Sequence, residues 1–283
     1  MRLLNTNEIP PALFEIPQPP KKLYIEGTLP PKGSLYLAVV GSRKYTSYGR
    51  DVVEKLMAAL AGYPIVIVSG LALGIDTLAH ENALKNNLQT VAFPGSGLDP
   101  SVLYPRANGN LAKKIVESGG CLISEFEPKL GAAEWTFPTR NRLMAGLCRA
   151  LLVIEAEEKS GTLITARLAT EYNRDVLAVP GSIFSPSSLG TNSLIRQGAT
   201  PITNANDILQ ALGFEPSDEN IQRADLADCA PEELALLEIL NEPLSKDELI
   251  RRSTRPAHEI QMTLSIMEIK GLIKEELGEI RRV

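Results

Sequence analysis

Between Phe137 and Thr165 the sequence reads FPTRNRLMAGLCRALLVIEAEEKSGTLIT, and its residue types suit the gripping of a polyanion. An aromatic and two arginines, Phe137, Arg140 and Arg142, precede a short apolar run from Ala150 to Glu155 that reads as a buried strand. Lys159, Ser160, Gly161 and Thr162 follow it, at the expected start of a helix. The unpaired amides and positive dipole end of a helix start attract phosphate, and Lys159 adds a full charge. An aromatic beside paired arginines is suited to a nucleobase and its phosphates. Solvated arginines around a core phenylalanine are the plain alternative. That alternative leaves unexplained why Arg140, Arg142 and Lys159 bracket one strand.

Other turns carry weaker signals. GSRKYTSYG, Gly41 to Gly49, follows an apolar run; Ser42 and nearby amides can donate to an anion, and Arg43 can make a forked contact to phosphate. It matches neither GxGxxG nor GxxxxGK[ST]. In SGLALGIDTLAHENAL, Gly70 and Gly74 permit close backbone approach, Asp76 is placed to cap a helix, and His80 lies one turn later on the same face. A satisfied Asp76–His80 pair is preferred here to catalysis, because spacing ties no nucleophile to the histidine. PGSGLDPSVLYPRAN suits a rigid loop, with Asp99 as a turn residue. Asn192 and Arg196 add a faint signal further on.

These motifs sit between short apolar runs and amphipathic helices. LYLAVV, IVIVSG, TVAF, CLIS, ALLVIEA and VLAVPG alternate with helix-like stretches. The pattern predicts an α/β fold: parallel strands covered on both faces, with ligands outside their carboxyl ends. The predicted helices run from Tyr48 to Leu60, Asp76 to Leu84, Gly109 to Glu117, about Arg140 to Leu147, Thr162 to Tyr172 and Leu189 to Gln197, with a last one opened by Asn204. Residues 1–33 hold seven prolines, which bar a long helix or a central strand, and are expected to form an extended arm packed on the main domain at 34–213. A linker is expected at 214–227. Residues 228–283 read as three helices and a hairpin turning at Leu277-Gly278-Glu279, a winged helix. From Asp228 to Val283 there are 8 Lys and Arg against 12 Asp and Glu, a poor charge balance for reading duplex, so a protein partner is expected for this part.

The whole chain has 283 residues, 44% apolar and 22% charged, with a formal net charge of −5. That excludes coating of nucleic acid by bulk charge but allows a local basic cleft. No apolar stretch approaches the roughly 20 residues of a membrane span, and the start is a poor signal peptide. Three scattered cysteines and two histidines give no metal-site spacing. A cytoplasmic, reduced protein without metal, cofactor or membrane partner is expected.

The motifs GSR…T.YG, SGLA.GID..AH..AL, PG.GLD…YP..N, SE.EP, FP.RNR..AGL, EA…SGTLITA..A.E..R, VPG and SLGTN.LI..GA run in order from Gly41 to Ala199. In these the chain resembles the DprA family, also called Smf, DNA-processing proteins of bacterial natural transformation. The resemblance implies an extended Rossmann-like domain that binds single-stranded DNA in a basic pocket, protects incoming strands, dimerises, and loads RecA. It implies Ser42, Arg43, Gly70, Phe137, Arg140, Asn141, Lys159, Ser160 and Thr162 as binding residues. It implies an accessory winged helix, and a proline-rich arm where many relatives carry a helical SAM-like domain. The rival is a lysine decarboxylase-like phosphoribohydrolase of nucleoside monophosphates, with a GGxGTxxE turn. Here Thr165 stands at the place of its catalytic glutamate and is no base at neutral pH; Glu155 and Glu171 are the substitutes considered. A scaffold that binds a free nucleotide is the third reading. The expectation is a binder without enzymatic activity.

Overall fold

The computed structural model describes residues 1–214, 230–240, 244–253, 255–270, 272–276 and 278–282. It divides into two units, Met1–Pro216 and Ser217–Val283.

The first unit is built on a nine-stranded sheet. Its strands are β1 (Arg2–Leu3), β2 (Tyr24–Gly27), β3 (Leu35–Val40), β4 (Ile65–Ser69), β5 (Gln89–Ala92), β6 (Cys121–Ser124), β7 (Ala150–Val153), β8 (Asp175–Ala178) and β9 (Thr200–Pro201). They lie in the order β1-β2-β6-β5-β4-β3-β7-β8-β9, parallel from β6 to β9, with β1 and β2 antiparallel. Helices α1 (Ser47–Ala59), α2 (Ile75–Lys85), α3 (Gly109–Glu117), α4 (Thr136–Leu147), α5 (Thr162–Glu171), α6 (Leu189–Arg196) and α7 (Ala205–Ala211) connect and cover them.

Alternation along the strands explains the two layers. Leu37 and Val39 of β3 enter a core with Val53, Met57, Ile75 and Ala79 of α1 and α2. Ala38 and Val40 enter another with Leu143, Met144, Leu147, Ala166 and Ala169 of α4 and α5. Strands buried on both faces have no polar positions to alternate, so they read as unbroken apolar runs. From β3 the chain winds outward through β4, β5 and β6, then returns to place β7 on the other side of β3. The β3–β7 boundary is therefore a topological switch point, where the loops leaving two neighbouring strands diverge and open a crevice.

The amino-terminal arm packs on the main domain, and against expectation it also supplies a strand inside the sheet. Residues 1–33 are part of the first unit: β2 pairs with β6 inside the sheet, and Leu4, Ile9, Leu13, Ile16, Leu23 and Ile25 are buried in its core. The prolines bar regular structure only where they stand; Tyr24–Gly27 lies in the proline-free stretch after Pro20. Of the expected linker, only Phe214 is described. It packs its ring edge-on against Tyr63, with centroids 5.3 Å apart, and so belongs to the first unit. The remainder, 215–227, lies outside the described residues.

The second unit contains α8 (Pro231–Ile239), α9 (Lys246–Arg252), α10 (Ala257–Ile269), and strands β10 (Leu244–Ser245), β11 (Ile273–Glu276) and β12 (Glu279–Arg282). The strands form an antiparallel sheet in the order β10-β12-β11. Leu236, Leu237, Leu249, Ile260, Leu264, Met267, Ile273 and Ile280 make its core. Ser245 caps α9 by accepting from the amide of Glu248 at 3.3 Å. This is a winged helix. Of the expected hairpin turn, Gly278 adopts φ +81° and Leu277 lies outside the described residues.

Candidate nucleic-acid interface

A cavity of about 550 Å³ opens at the carboxyl edge of the sheet, at the switch point. The loop after β3 supplies Ser42, Arg43 and Lys44. The first turns of α4 supply Phe137, Arg140 and Asn141, and the loop after β7 supplies Ser160, Gly161 and Thr162. Gly70 lines a smaller concavity beside it, shared with Arg43, Phe137 and Arg140. Lys159 is exposed in the same loop as Ser160 but does not line the cavity.

Helical phase sorts the central residues. α4 begins at Thr136, not near Arg140, and Pro138 sits in its first turn, where a missing amide proton is harmless. Phe137, Arg140 and Asn141 stand three and four residues apart and share a face; Arg142, two after Arg140, points away. Arg142 pairs with Glu125 and donates to the carbonyl of Gln18 at 2.7 Å. It holds the amino-terminal segment and is removed from the cavity. Its assignment as a binding residue is corrected.

Arg140 lines the cavity with its charge already engaged. Its guanidinium donates to the carbonyls of Gly70 and Phe93, and its Nε to Asn141 Oδ1 at 3.0 Å. Burial lowers its pKa to about 10, partly opposed by Asp76 and reinforced by Arg43. It remains a cation at neutral pH and joins the ends of β4 and β5 to α4. Gly70 must lack a side chain for this, because a Cβ there would enter the Arg140 guanidinium.

Asp76 and His80 do not pair. Asp76 accepts from the amides of Gly70 at 3.1 Å and Ala72 at 3.4 Å, and burial raises its pKa against the pull of Arg140. It caps no helix end, since Gly74 holds the cap position of α2. Gly74 takes φ +87° and passes against the backbone of Ser42 and Arg43, so the loops after β3 and β4 touch main chain to main chain. His80 turns to Thr90, Nδ1 to Oγ1 at 2.8 Å. The Thr90 proton goes to the carbonyl of Ile67 at 2.9 Å, so Nδ1 carries the imidazole proton. Burial, with the Arg140 charge, lowers the His80 pKa to about 3. Nε2 has no partner among the described residues.

The loops after β3 and β7 are tied across the crevice. Thr162 Oγ1 donates to the carbonyl of Gly41 at 3.1 Å. The buried Glu155 carboxylate accepts from Thr46 N at 3.0 Å and Thr46 Oγ1 at 2.5 Å, holding the start of α1 to the loop after β7. Some expected donors are spent locally. Ser42 gives its proton to the carbonyl of Lys44 at 2.8 Å, and Ser160 Oγ accepts the amide of Thr162 at 3.2 Å. The cations fare differently: Arg43 and Lys44 are exposed, without a carboxylate partner among the described residues. The Arg43 guanidinium lies 5.5 Å from the Phe137 ring centre, a cation–π contact.

Three charged residues of the lining stand outside the set assigned from sequence. Lys44 was legible as the neighbour of Arg43 in the same turn. Asp76 and Glu157 also line the cavity; nothing in their spacing announced it. Among the described residues no group of His, Cys, Asp or Glu could hold a metal ion, and no helix is long and apolar enough to cross a membrane.

Comparison with known proteins places this geometry. Residues 1–213 match the family model for DNA recombination-mediator protein A, and 222–279 match that for the DprA winged helix domain. Protein Smf of Escherichia coli is 38% identical over 273 residues, covering 93% of this chain and 72% of that protein. DNA processing protein DprA of Streptococcus pneumoniae is 43% identical over 202 residues, 71% and 70% of the two chains. The crystal structure of S. pneumoniae DprA superposes with a TM-score of 0.69 at 40% identity, covering 76% of this chain and 75% of that one. A Helicobacter pylori DNA processing protein A structure, described for its single-stranded DNA binding mode, gives 0.66 at 32% identity over 75% and 96%. With a matching family model over three quarters of its length and a fold to agree with it, the chain belongs to the DNA recombination-mediator protein A family.

Proposed function

We propose that the chain binds single-stranded DNA at the β3–β7 crevice without catalysing a reaction on it. It protects the strand and loads a RecA recombinase onto it, as a cytoplasmic homodimer serving DNA transformation. The observation that carries this reading is the convergence on one switch-point cavity of an aromatic, Phe137, and two cations, Arg43 and Lys44, without a carboxylate partner among the described residues. Cations hold phosphates at any sequence, and an aromatic face accepts any base, so binding is strong in charge and weak in sequence preference. The related H. pylori protein, described for its binding of single-stranded DNA, supports the choice of ligand. Family membership supports RecA loading and dimerisation.

The test is binding of oligo-dT and its duplex at two salt concentrations. With about four phosphates held, the log–log slope for the single strand is near −3. Equal affinity for the duplex, or no salt dependence, removes the reading. RecA filament formation on strands coated by single-strand binding protein, with and without the chain, tests loading; light-scattering mass tests the dimer.

The phosphoribohydrolase reading needs a carboxylate free to act on a ribose. Thr165 is buried where the glutamate would be, and Glu155 is engaged by Thr46. Glu171 is the last residue of α5 and does not line the cavity, which that helix reaches through Thr162, Ile164 and Thr165. Glu157 is the exposed carboxylate on the lining. Release of free base from a nucleoside monophosphate, abolished by Glu157→Gln, would establish the enzyme instead.

A further inference from the structure

The smaller concavity shares Arg43, Ala72, Phe137 and Arg140 with the main cavity, and extends away from it toward Leu73 and Tyr104. No carboxylate lines it, whereas Asp76 and Glu157 line the main cavity. Leu73 and Tyr104 are large apolar side chains left 47% and 45% exposed.

The loops that carry them are hydrogen-bonded beside these positions. The buried Asn108 amide donates to the carbonyls of Leu71 at 2.8 Å and Ala72 at 3.2 Å, and to Thr77 Oγ1 at 2.9 Å. Thr77 in turn donates to the Ala72 carbonyl at 2.8 Å, and the amide of Tyr104 donates to Ser96 Oγ at 3.2 Å. The loop after β4, which carries Leu73, is thereby bolted to the loop after β5, which carries Tyr104. The Tyr104 ring stands 5.8 Å from the Phe137 ring, tilted by 60°. Arg43 and Tyr104 both lie against Phe137, and the three planar groups line this concavity together.

An aromatic held rigidly in water, with its hydroxyl unbonded among the described residues, is organised to present its ring. We infer that Leu73 and Tyr104 form a second base subsite. The strand passes Arg43, one base lies at Phe137, and the next unpaired base stacks on Tyr104 with its edge against Leu73. This deepens the single-strand reading and rests on it. The occupant follows from continuity with the main cavity and from the absence of acidic groups. A partner protein on the same shelf is the outcome the test must exclude.

The measurement is fluorescence anisotropy of a labelled oligo-dT of about twelve nucleotides, long enough for both subsites. Tyr104→Ala weakens binding about tenfold, within the range for loss of one stacked base. Tyr104→Phe binds like the wild type, because stacking needs the ring and not the hydroxyl. Leu73→Ser weakens binding several-fold. The salt slope is unchanged in all three, since no phosphate contact is lost. Unchanged thermal melting of Tyr104→Ala shows the fold is intact. The inference is overturned if Tyr104→Ala binds within about twofold of wild type while Arg43→Ala is weakened, a change too small for a lost stack. It is equally overturned if Tyr104→Ala alters the mass of the particle and not its affinity for DNA. If Arg43→Ala also binds like wild type, the cradle reading itself has failed.

Discussion

At the rim of the large sheet Arg43 and Lys44 stand exposed with no carboxylate beside them among the described residues, whereas the winged helix spends its cations on its own acids. There Lys246 pairs with Glu275 at 3.1 Å, Arg252 with Glu248 at 3.1 Å, Arg255 with Glu232 at 3.5 Å and Lys270 with Glu233 at 2.8 Å; Arg251 also meets Glu248. Such surface pairs add little stability, but they cancel the field that a polyanion would feel. Affinity for a phosphate chain follows the cations left unpaired at one place, not the count of cations. A chain of net charge −5 can therefore hold a strand at one rim and repel it elsewhere.

The contrast can be broken at several points. The largest effect belongs to the buried cation of the rim. Arg140→Ala strands the buried Asp76 carboxylate and two carbonyls, and lowers unfolding free energy by about 3–5 kcal/mol in a urea titration. A variant as stable as wild type would mean that the Arg140–Asp76 arrangement contributes little to the fold. Next come the exposed groups. Arg43→Ala and Phe137→Ala each weaken oligo-dT binding by about 1–3 kcal/mol with stability intact. Only Arg43→Ala lowers the salt slope, by about 0.7.

A smaller effect concerns pH. The folded pKa of His80, about 3, lies below its unfolded value of roughly 6.5, so the unfolded chain binds the extra proton in between. The stability contribution is complete above the unfolded value and is lost as pH falls toward 3. Melting temperature should drop between pH 7 and pH 5 more in the wild type than in His80→Gln. Equal drops would remove His80 as the cause. The smallest change is expected in the second unit, where Arg251→Ala or Arg255→Ala alters oligo-dT affinity by less than about twofold, as for paired surface charges. A large loss there would erase the distinction between the units.

Much of this was legible in the sequence, because doubly covered parallel strands leave unbroken apolar runs and their turns hold the polar motifs. α3 occupies Gly109–Glu117 as expected, and α1, α2, α5 and α6 differ from expectation by a residue at their ends. The pairing of Arg140 with Arg142 failed because α4 was started too late. Once the helix is carried back to Thr136, a spacing of two residues puts the arginines on opposite sides. The partners of Asp76 and His80 were illegible for another reason. Asp76 folds back on the amides of its own turn, Gly70 and Ala72, and Thr90 reaches His80 from β5; a shared helical face does not oblige two side chains to bond. β2, paired inside the sheet, is masked in the sequence by the prolines around it.

The ties from Glu155 to Thr46 and from Thr162 to Gly41 stitch the two lips of the crevice together before any ligand arrives. A groove already set to width does not spread to meet its guest, so under the proposed function the loss of freedom on association falls on the nucleic acid. Limp thymine tracts pay least in this respect, and adenine tracts, which stiffen into helical stacks of their own, must first be unwound. Selectivity among homopolymers then records the stiffness of the thread and not the lettering on it.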